Sequence, residues 1–506
     1  MFNLKFLTKF LSLKIPNEVY LDNRMKFFIG WLSIFLLLIV LSGCSTNPAT
    51  GEKIFTGLMT KEQEIHQGRK THPKIVKSFG GQYGSTSLQN YIKSIGHRLT
   101  QTVERQNLIY KFTILDLKVV NAFALPGGYV YVTRGLLALA ENEAEVAGVL
   151  AHELGHINAL HHAQRRGQSL LAGIVVSGIH VNKGSGARQL GEFIATGALR
   201  SYSRSHELEA DNLALRYMSR AGYDPKTMVQ FIRKLRANTR LNAKKHGKSP
   251  DKIDEFNYLS THPVPKQRLK QIGKLLSQYQ IKRSVRAREI YLQKIDGMLF
   301  GGSPKQGFIR HQEFWHPELK FYFKVPKNFT LFNSPNLVYA KGPNGASITL
   351  SVARNPTDGP MTFYIKEIWG RNFNFKNLEK LNINGLEAAT GTIHHRGKNI
   401  RCVAIRKDLN TIYRFTFKTK PPQTNRLAIP FRRTTYSFRL LKNAEAKNLK
   451  PFRVKIIKSR KHDTVKSLAR RMISHDNFTV ERFRVLNGLL GQLQISHGQS
   501  VKIISY

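Results

Sequence analysis

At 506 residues the chain is too long for one ordinary core, and about three domains are expected. A hydrophobic content of 41% suits globular structure, and the two cysteines, Cys44 and Cys402, exclude a disulfide framework. The net charge of +48, from 80 Lys+Arg against 32 Asp+Glu, favours a polyanionic neighbour, but it does not choose among nucleic acid, anionic lipid and an acidic cell-wall polymer.

The first long apolar stretch follows Met25-Lys26 and reads FFIGWLSIFLLLIVLSGCS. A basic start, an apolar run from Phe27 to Leu41 and a small-residue end have the layout of a secretory signal, so residues 1–43 are read as a signal region. The run is short for a spanning helix, and a retained membrane anchor is the alternative. LSGC resembles a bacterial lipobox, which implies that the Cys44 thiol is acylated and that the mature chain starts there. By resemblance to Gram-negative lipoproteins, Ser45 in the next position implies the outer membrane. Residues 1–24 sit awkwardly ahead of this signal, so translation is expected to start at Met25, with an unusually long leading region as the alternative.

A region from 44 to about 300 follows. TNPATGEKIFTGLMTKEQEIHQGRK is a polar lead-in running into a helix. Leu88, Tyr91, Ile92, Ile95 and Leu99 give Ser87–Val103 helical spacing, and Phe112–Val120 alternates as a strand does. NAFALPGGYVYVTRGLL predicts two short strands around Pro126-Gly127-Gly128. Such an edge could pair with the main chain of a bound peptide or only pack.

AHELGHI then places His152 and His156 four apart, on one face of a helix, where two imidazoles can share one metal ion. Glu153 beside them can reach a water on that metal. Asn142 followed by Glu145 predicts a capping box at the helix start. Val146, Val149, Leu150, Leu154 and Ile157 predict its buried face. An open zinc site needs a third protein ligand, and YSRSHELEADNLALRYM offers Glu207, with Asp211 four residues on to hold a ligand imidazole. Taken alone that segment reads as a charged surface helix. Glu209 is expected to point elsewhere into solvent, and His161, His162 and His180 are given no role.

HELGH followed by SRSHELEAD, with NAFALPGG upstream, resembles the zinc metallopeptidases of the CaaX-protease, HtpX, BepA and LoiP type over roughly residues 47–275. The resemblance implies one Zn2+ per chain, Glu207 as third ligand, Asp211 as the aspartate closing the motif, and Arg204 as the arginine of the family's Ser-Arg pair. NPATGE with KEQE is similar to the lead-in of its periplasmic lipoprotein members. HtpX and the CaaX proteases are multi-span membrane enzymes, whereas LLAGIVVSGI at 170–179 is too short to span and is expected to cap the site as half of a helical hairpin. In BepA-like members a histidine and an arginine of THPVPKQR lie over the active site, which implies roles for His262 and Arg268. Arg268 could stabilise an oxyanion, and His262 could occupy the open zinc position until substrate arrives. A proline-stiffened loop is the plain alternative.

A Gly/Pro cluster near 301–307 predicts a boundary. Residues 308–442 then read as strands, FYFKV, SITLSVA, TIYRFTFK and YSFRLL, with a helical stretch near 361–370. This α+β domain resembles PsbP-like or Mog-type sandwiches through LNINGLEAATG and TTYSFRLL. KNAEAKNLKP at 443–450 or so is a linker, and 451–506 resembles a LysM module of strand, helix, helix and strand. That resemblance implies glycan binding, chiefly to peptidoglycan. The spacer between the helices is longer than usual, and His497 stands where proline is common. A basic helix pair on an anionic surface is the alternative.

The expected architecture is therefore multidomain: a mainly α, zincin-type metallopeptidase domain with a short β edge, an α+β PsbP-like domain, and a small βααβ LysM-like domain. The expected protein is a periplasmic zinc endopeptidase, lipid-anchored to the outer membrane. Its expected substrates are unfolded or misassembled envelope proteins, and its LysM-like module is expected to hold peptidoglycan. The alternatives are a non-catalytic envelope assembly chaperone and a hydrolase of peptidoglycan crosslinks. Nucleic acid as partner conflicts with the export signal.

Overall fold

The computed structural model describes residues 44–57, 59–175, 202–245, 247, 258–263, 266–279, 284–334, 337–354, 356–474, 477–492 and 494–506. The signal region 1–43, the latter part of the expected helical hairpin, and His180 lie outside the described residues.

A hairpin of β1 (Cys44–Thr46) and β2 (Lys53–Phe55) comes first. Helix α1 (Lys61–Ser78) starts at Thr60, which makes a reciprocal capping box with Gln63. Helix α2 (Thr86–Thr100), capped by Ser85, buries Leu88, Ile92, Ile95 and Leu99, as the spacing predicts. Strands β3 (Lys111–Leu115), β4 (Ala122–Leu125) and β5 (Tyr129–Thr133) form a sheet in the order β3-β5-β4. β3 runs parallel to β5, and β4 antiparallel, which leaves β4 at the edge. The strand expected to reach Val120 stops at Leu115, because Asp116 turns its carboxylate onto Arg134 Nε at 2.6 Å. Gly128 has φ +87°, and a Cβ there would sit 2.5 Å from the Ile109 carbonyl, so the β4–β5 turn requires glycine.

Among the described residues the helices α3 (Arg134–Leu139), α4 (Glu143–Asn158), α5 (His161–Val175), α6 (Arg204–Arg220), α7 (Lys226–Lys245), α8 (Lys266–Leu276) and α9 (Arg288–Ile295) follow, with a single helical turn at Tyr258–Thr261. α4 lies at the centre, with every residue from Ala144 to Asn158 buried and the five expected apolar side chains in the core. Asn142 caps it by accepting the Glu145 N–H at 2.9 Å. The reciprocal half of the expected capping box is absent. The Glu145 carboxylate instead accepts the Glu141 N–H at 2.7 Å and pairs with the buried Lys234 ammonium of α7 at 2.7 Å, a charge that burial obliges to find a partner.

From Phe308 the pattern changes to strands. β6 (Phe308–Arg310), β7 (Glu313–His316), β8 (Phe321–Lys324), β9 (Thr330–Ser334), β10 (Leu337–Lys341) and β11 (Ser347–Arg354) are followed by β12 (Lys376–Ile383), β13 (Leu386–His395), β14 (Lys398–Asp408) and β15 (Thr411–Thr419). Helix α10 (Pro421–Ser437) and β16 (Arg439–Leu440) close the region. Seven strands make one antiparallel sheet in the order β12-β13-β14-β15-β11-β10-β9, and four make a second in the order β16-β8-β7-β6. Phe314, Phe323, Phe415 and Phe431 fill a core separate from the first. The expected helical stretch is present at Met361–Trp369. YSFRLL is only in part a strand, because Tyr436 and Ser437 complete α10, whose Leu427 and Phe431 are held in that core.

Residues Asn443–Asn448, read as linker, form a short helix. β17 (Arg453–Lys458), α11 (Val465–Arg470), α12 (Thr479–Leu486) and β18 (Ser500–Ser505) follow in the expected order, with β17 antiparallel to β18. This unit is docked: Val454 and Val485 join the helical core, and Phe300 N–H donates to Phe452 O at 2.7 Å. No helix among the described residues is long and apolar enough to cross a membrane.

Candidate metal centre

His152 and His156 project from the same face of α4 with their Nε2 atoms 3.1 Å apart. α6 crosses α4 at Gly155, where a Cβ would stand 3.0 Å from Ala210 O and 3.1 Å from Ala210 Cα. The missing side chain lets the two helices approach, and α6 thereby delivers Glu207 to the imidazoles. Glu207 Oε2 is 3.6 Å from His152 Nε2, and Oε1 is 3.5 Å from His156 Nε2. One turn on, Asp211 Oδ1 lies 3.0 Å from His152 Nδ1.

His262 comes from the loop after the helical turn Tyr258–Thr261. Its Nδ1 is 3.2 Å from His152 Nε2 and 3.0 Å from Glu207 Oε1, and its Nε2 is 3.3 Å from Glu153 Oε1. All four of His152, His156, Glu207 and His262 are buried, with one ligand atom each inside a common 4.8 Å span.

This donor set fits a metal ion. A tetrahedron with ligand bonds of about 2.0–2.1 Å has edges of about 3.3 Å. The separations of 3.1 and 3.2 Å between imidazole nitrogens, of 3.0 and 3.5 Å from imidazoles to Glu207 Oε1, and of 3.6 Å from His152 to Glu207 Oε2 lie on either side of that value. Two imidazoles and a carboxylate are also the donors that borderline-soft Zn2+ takes.

The electrostatics follow from the same close packing of buried groups. Burial alone would raise the Glu207 carboxyl, but His262 and hydrogen bonds from His152 and His156 outweigh it and hold the group well below its ordinary range. Burial pushes His156 well down. Burial also opposes charge on His152, but hydrogen bonds to Asp211 and Glu207 prevail and lift it to about 9. The Glu153 carboxyl is raised, chiefly by burial, which is the direction a general base needs.

Arg268 is buried and spends its guanidinium on carboxylates: Nε and Nη2 meet Asp211 at 2.5 and 2.7 Å, and Nη1 meets Glu207 Oε2 at 2.5 Å. The oxyanion role expected for it would require it to leave these partners. Arg204 begins α6, capped by Ser203. Cys44 starts β1 at an exposed position, while Cys402 is buried in β14 with its thiol pushed up to about 12 by burial.

Several residues around the site were passed over in the sequence. Tyr202 stacks on His156 with ring centroids 3.7 Å apart, and Tyr258 stacks on His262 at 4.7 Å. His161 Nδ1 is 2.8 Å from His156 Nδ1. Glu209 does not reach into solvent as expected, and its Oε2 lies 3.2 Å from His161 Nε2. The signal for His161 was its place five residues beyond His156, just past the end of α4. Nothing in the local pattern marked the two tyrosines.

Residues 86–276 match Peptidase family M48. The chain carries an M48 peptidase domain. Its cofactor is Zn2+, and His152, His156 and Glu207, with His262 beside them, are the residues able to hold it. The chain is 30% identical over 194 residues to the beta-barrel assembly-enhancing protease of Escherichia coli K12, a match that covers 36% of this chain and 37% of that one. It is 28% identical over 229 residues to the mitochondrial metalloendopeptidase OMA1 of Schizosaccharomyces pombe, which covers 44% and 63%. The chain therefore spans less than two thirds of the length of these curated relatives. The solution structure of cyanobacterial PsbP from Synechocystis matches at 12% identity with a TM-score of 0.21, covering 26% of this chain and 94% of that one, a likeness too low to argue from. From Phe308 on, the described chain is a separate β-rich region and the small C-terminal unit.

Proposed function

We propose that this chain is a zinc endopeptidase of the bacterial envelope that removes misassembled envelope proteins. The observation that carries this reading is the Glu153 carboxylate. It is fully buried beside the four-donor cluster, with His262 Nε2 3.3 Å from its Oε1, and burial outweighs that contact and raises its carboxyl. A buried carboxylate left in that state is costly unless chemistry uses it.

His152, His156 and Glu207 would hold the zinc. When bound, the metal supplies Lewis acidity, acidifying water and polarising the scissile carbonyl. Glu153 takes the proton of the attacking water and returns it to the leaving amine. Asp211 fixes the His152 imidazole by accepting a hydrogen bond from its Nδ1–H, and Arg268 anchors Asp211 and Glu207 in turn. β4, an edge strand packed on α4, offers its main chain for a substrate strand to pair with.

The lipid anchor at Cys44 would place the enzyme in the periplasm on the outer membrane, and the C-terminal unit, read as LysM-like, would hold peptidoglycan. Support for the substrate class comes from the relatives named for beta-barrel assembly enhancement. The deciding experiment is hydrolysis of unfolded casein by the wild type and by Glu153→Gln, each with zinc content measured. Loss of hydrolysis by about 10²–10⁴-fold with zinc retained supports the reading, and equal hydrolysis by both proteins removes it.

A second reading, an assembly factor that binds clients with its metal site blocked, is favoured by one feature. His262 Nδ1 lies 3.2 Å from His152 Nε2 and 3.0 Å from Glu207 Oε1, close enough to serve as a fourth donor in place of water. Client binding by a wild type that hydrolyses nothing, even with zinc bound, would select it.

A further inference from the structure

Resting on the zinc reading above, we infer that His161, Glu209 and Asn47 form a relay that positions the ligand His156, and that the N-terminal hairpin is thereby part of the metal's outer shell. The argument is one of donors and acceptors. For His156 to bind metal through Nε2, its proton must sit on Nδ1. That atom faces His161 Nδ1 at 2.8 Å, so His156 donates and His161 accepts. His161 then carries its own proton on Nε2, which donates to Glu209 Oε2 at 3.2 Å. The other oxygen, Glu209 Oε1, accepts from Asn47 Nδ2 at 2.7 Å. Asn47 Oδ1 accepts the Ala49 N–H at 2.9 Å, which settles which end of the amide is the donor. Each link fixes the next, and no link is left with two donors or two acceptors facing.

The relay is built rather than incidental. His161 is fully buried and Asn47 is 1% exposed. His161 is clamped by a parallel stack on His206, with centroids 4.2 Å apart and planes 14° from parallel. Asn47 is fixed by the hairpin, where its N–H donates to Glu52 O and its carbonyl accepts from Gly51 N–H, both at 2.8 Å. The hairpin is held against α5, since a Cβ on Gly167 would meet Phe55 at 2.8 Å. The two histidine ligands are thus oriented differently. His152 meets the Asp211 carboxylate directly, whereas His156 reaches the Glu209 carboxylate through a second imidazole. The line ends three residues from Cys44, so the polar lead-in is a working part of the centre and not a spacer.

The test is zinc affinity of the full chain, measured by competition with a chromogenic chelator, for the wild type, His161→Phe, Asn47→Asp and the double variant. Phenylalanine keeps the stack on His206 but removes both hydrogen bonds. Aspartate keeps the Ala49 turn but replaces the amide donor with a second carboxylate facing Glu209. His161→Phe should weaken zinc binding by about 10–100-fold, the range for loss of an outer-shell partner, and Asn47→Asp by about 3–10-fold. The double variant should bind no more weakly than His161→Phe, because Asn47 acts only through His161; independent structural roles would multiply. Unchanged affinity in both single variants, or multiplying losses in the double, overturns the relay while leaving the zinc reading intact. A wild type that takes up no zinc overturns both. Circular dichroism of the zinc-free proteins reports folding, and if His161→Phe does not fold, Asn47→Asp decides alone, with wild-type affinity refuting the relay.

Discussion

The Lys502 ammonium stands 3.0 Å from the Glu141 carboxylate, wholly buried, two residues ahead of the helix that carries His152 and His156. It also donates to the carbonyls of Ala138, Leu139 and Ala140 at 3.1, 3.1 and 2.6 Å, which are the groups that the end of α3 leaves without intrahelical partners. Arg288 joins them, meeting Glu141 at 3.0 Å and the Ser500 carbonyl at 2.8 Å. Strand β18 of the small C-terminal unit therefore ties directly into the approach to the metal helix.

Replacing Lys502 by methionine keeps the stem and removes the donors. Three buried carbonyls then lose a donor and the Glu141 carboxylate is left to Arg288, and the loss should be about 2–4 kcal/mol. Urea unfolding of the variant beside the wild type measures it, and equal midpoints would show that the ammonium contributes nothing.

The same lysine makes stability depend on alkaline pH. Burial pushes its ammonium down to about 8, against the pull of Glu141. In the unfolded chain the group titrates near its ordinary value of roughly 10.4. Between those two values the unfolded state binds more protons, so the contribution of Lys502 to stability rises with pH through that window and is flat below about 8. A neutral amine still donates hydrogen bonds, so deprotonation does not mimic the methionine variant. The stability difference between wild type and Lys502→Met should grow from pH 7.5 to pH 10, by on the order of 1 kcal/mol per pH unit; a constant difference would count against the shift.

Zinc removal should cost stability as well as activity. Without an ion the four donors of the cluster face one another in a buried space. At a free zinc level 100 times the dissociation constant, binding adds about 2.7 kcal/mol to the native state. Thermal unfolding with and without a chelator should show the melting temperature fall and recover on adding zinc back. A melting temperature indifferent to zinc would argue against a specific site.

His262→Ala removes the one donor that arrives from a loop rather than from α4 or α6. If His262 closes the site, hydrolysis of unfolded protein should rise by about tenfold, because a larger fraction of molecules then presents an open corner. A fall in hydrolysis together with zinc affinity would instead make His262 a required ligand.

What the sequence could show was local. His152, Glu153 and His156 sit on consecutive turns of one helix, so spacing alone groups them, and Glu207 with Asp211 repeats that logic. Joining the two helices needed the family resemblance, since nothing in the 54 intervening residues records that Gly155 lies against Ala210. Long-range pairing also explains the misses. Glu145 looked like a capping partner because Lys234, which claims its carboxylate, is 89 residues away. Glu209 looked solvated because its partners, His161 and Asn47, come from a helix start and a hairpin far upstream. Tyr436 and Ser437 looked like strand because alternation in a short run does not reveal the helix that ends there.

The lysine clamp sets an order of events during synthesis. The approach to the helix bearing His152 and His156 is translated well ahead of Lys502, which satisfies its carbonyls from 362 residues beyond Ala140. A nascent chain can form α4 early, but it cannot finish the approach to that helix until β18 is translated. A premature stop codon after Arg268 but before β18 would therefore release a protease whose zinc ligands are all present and whose central helix lacks the Lys502 tie at its start.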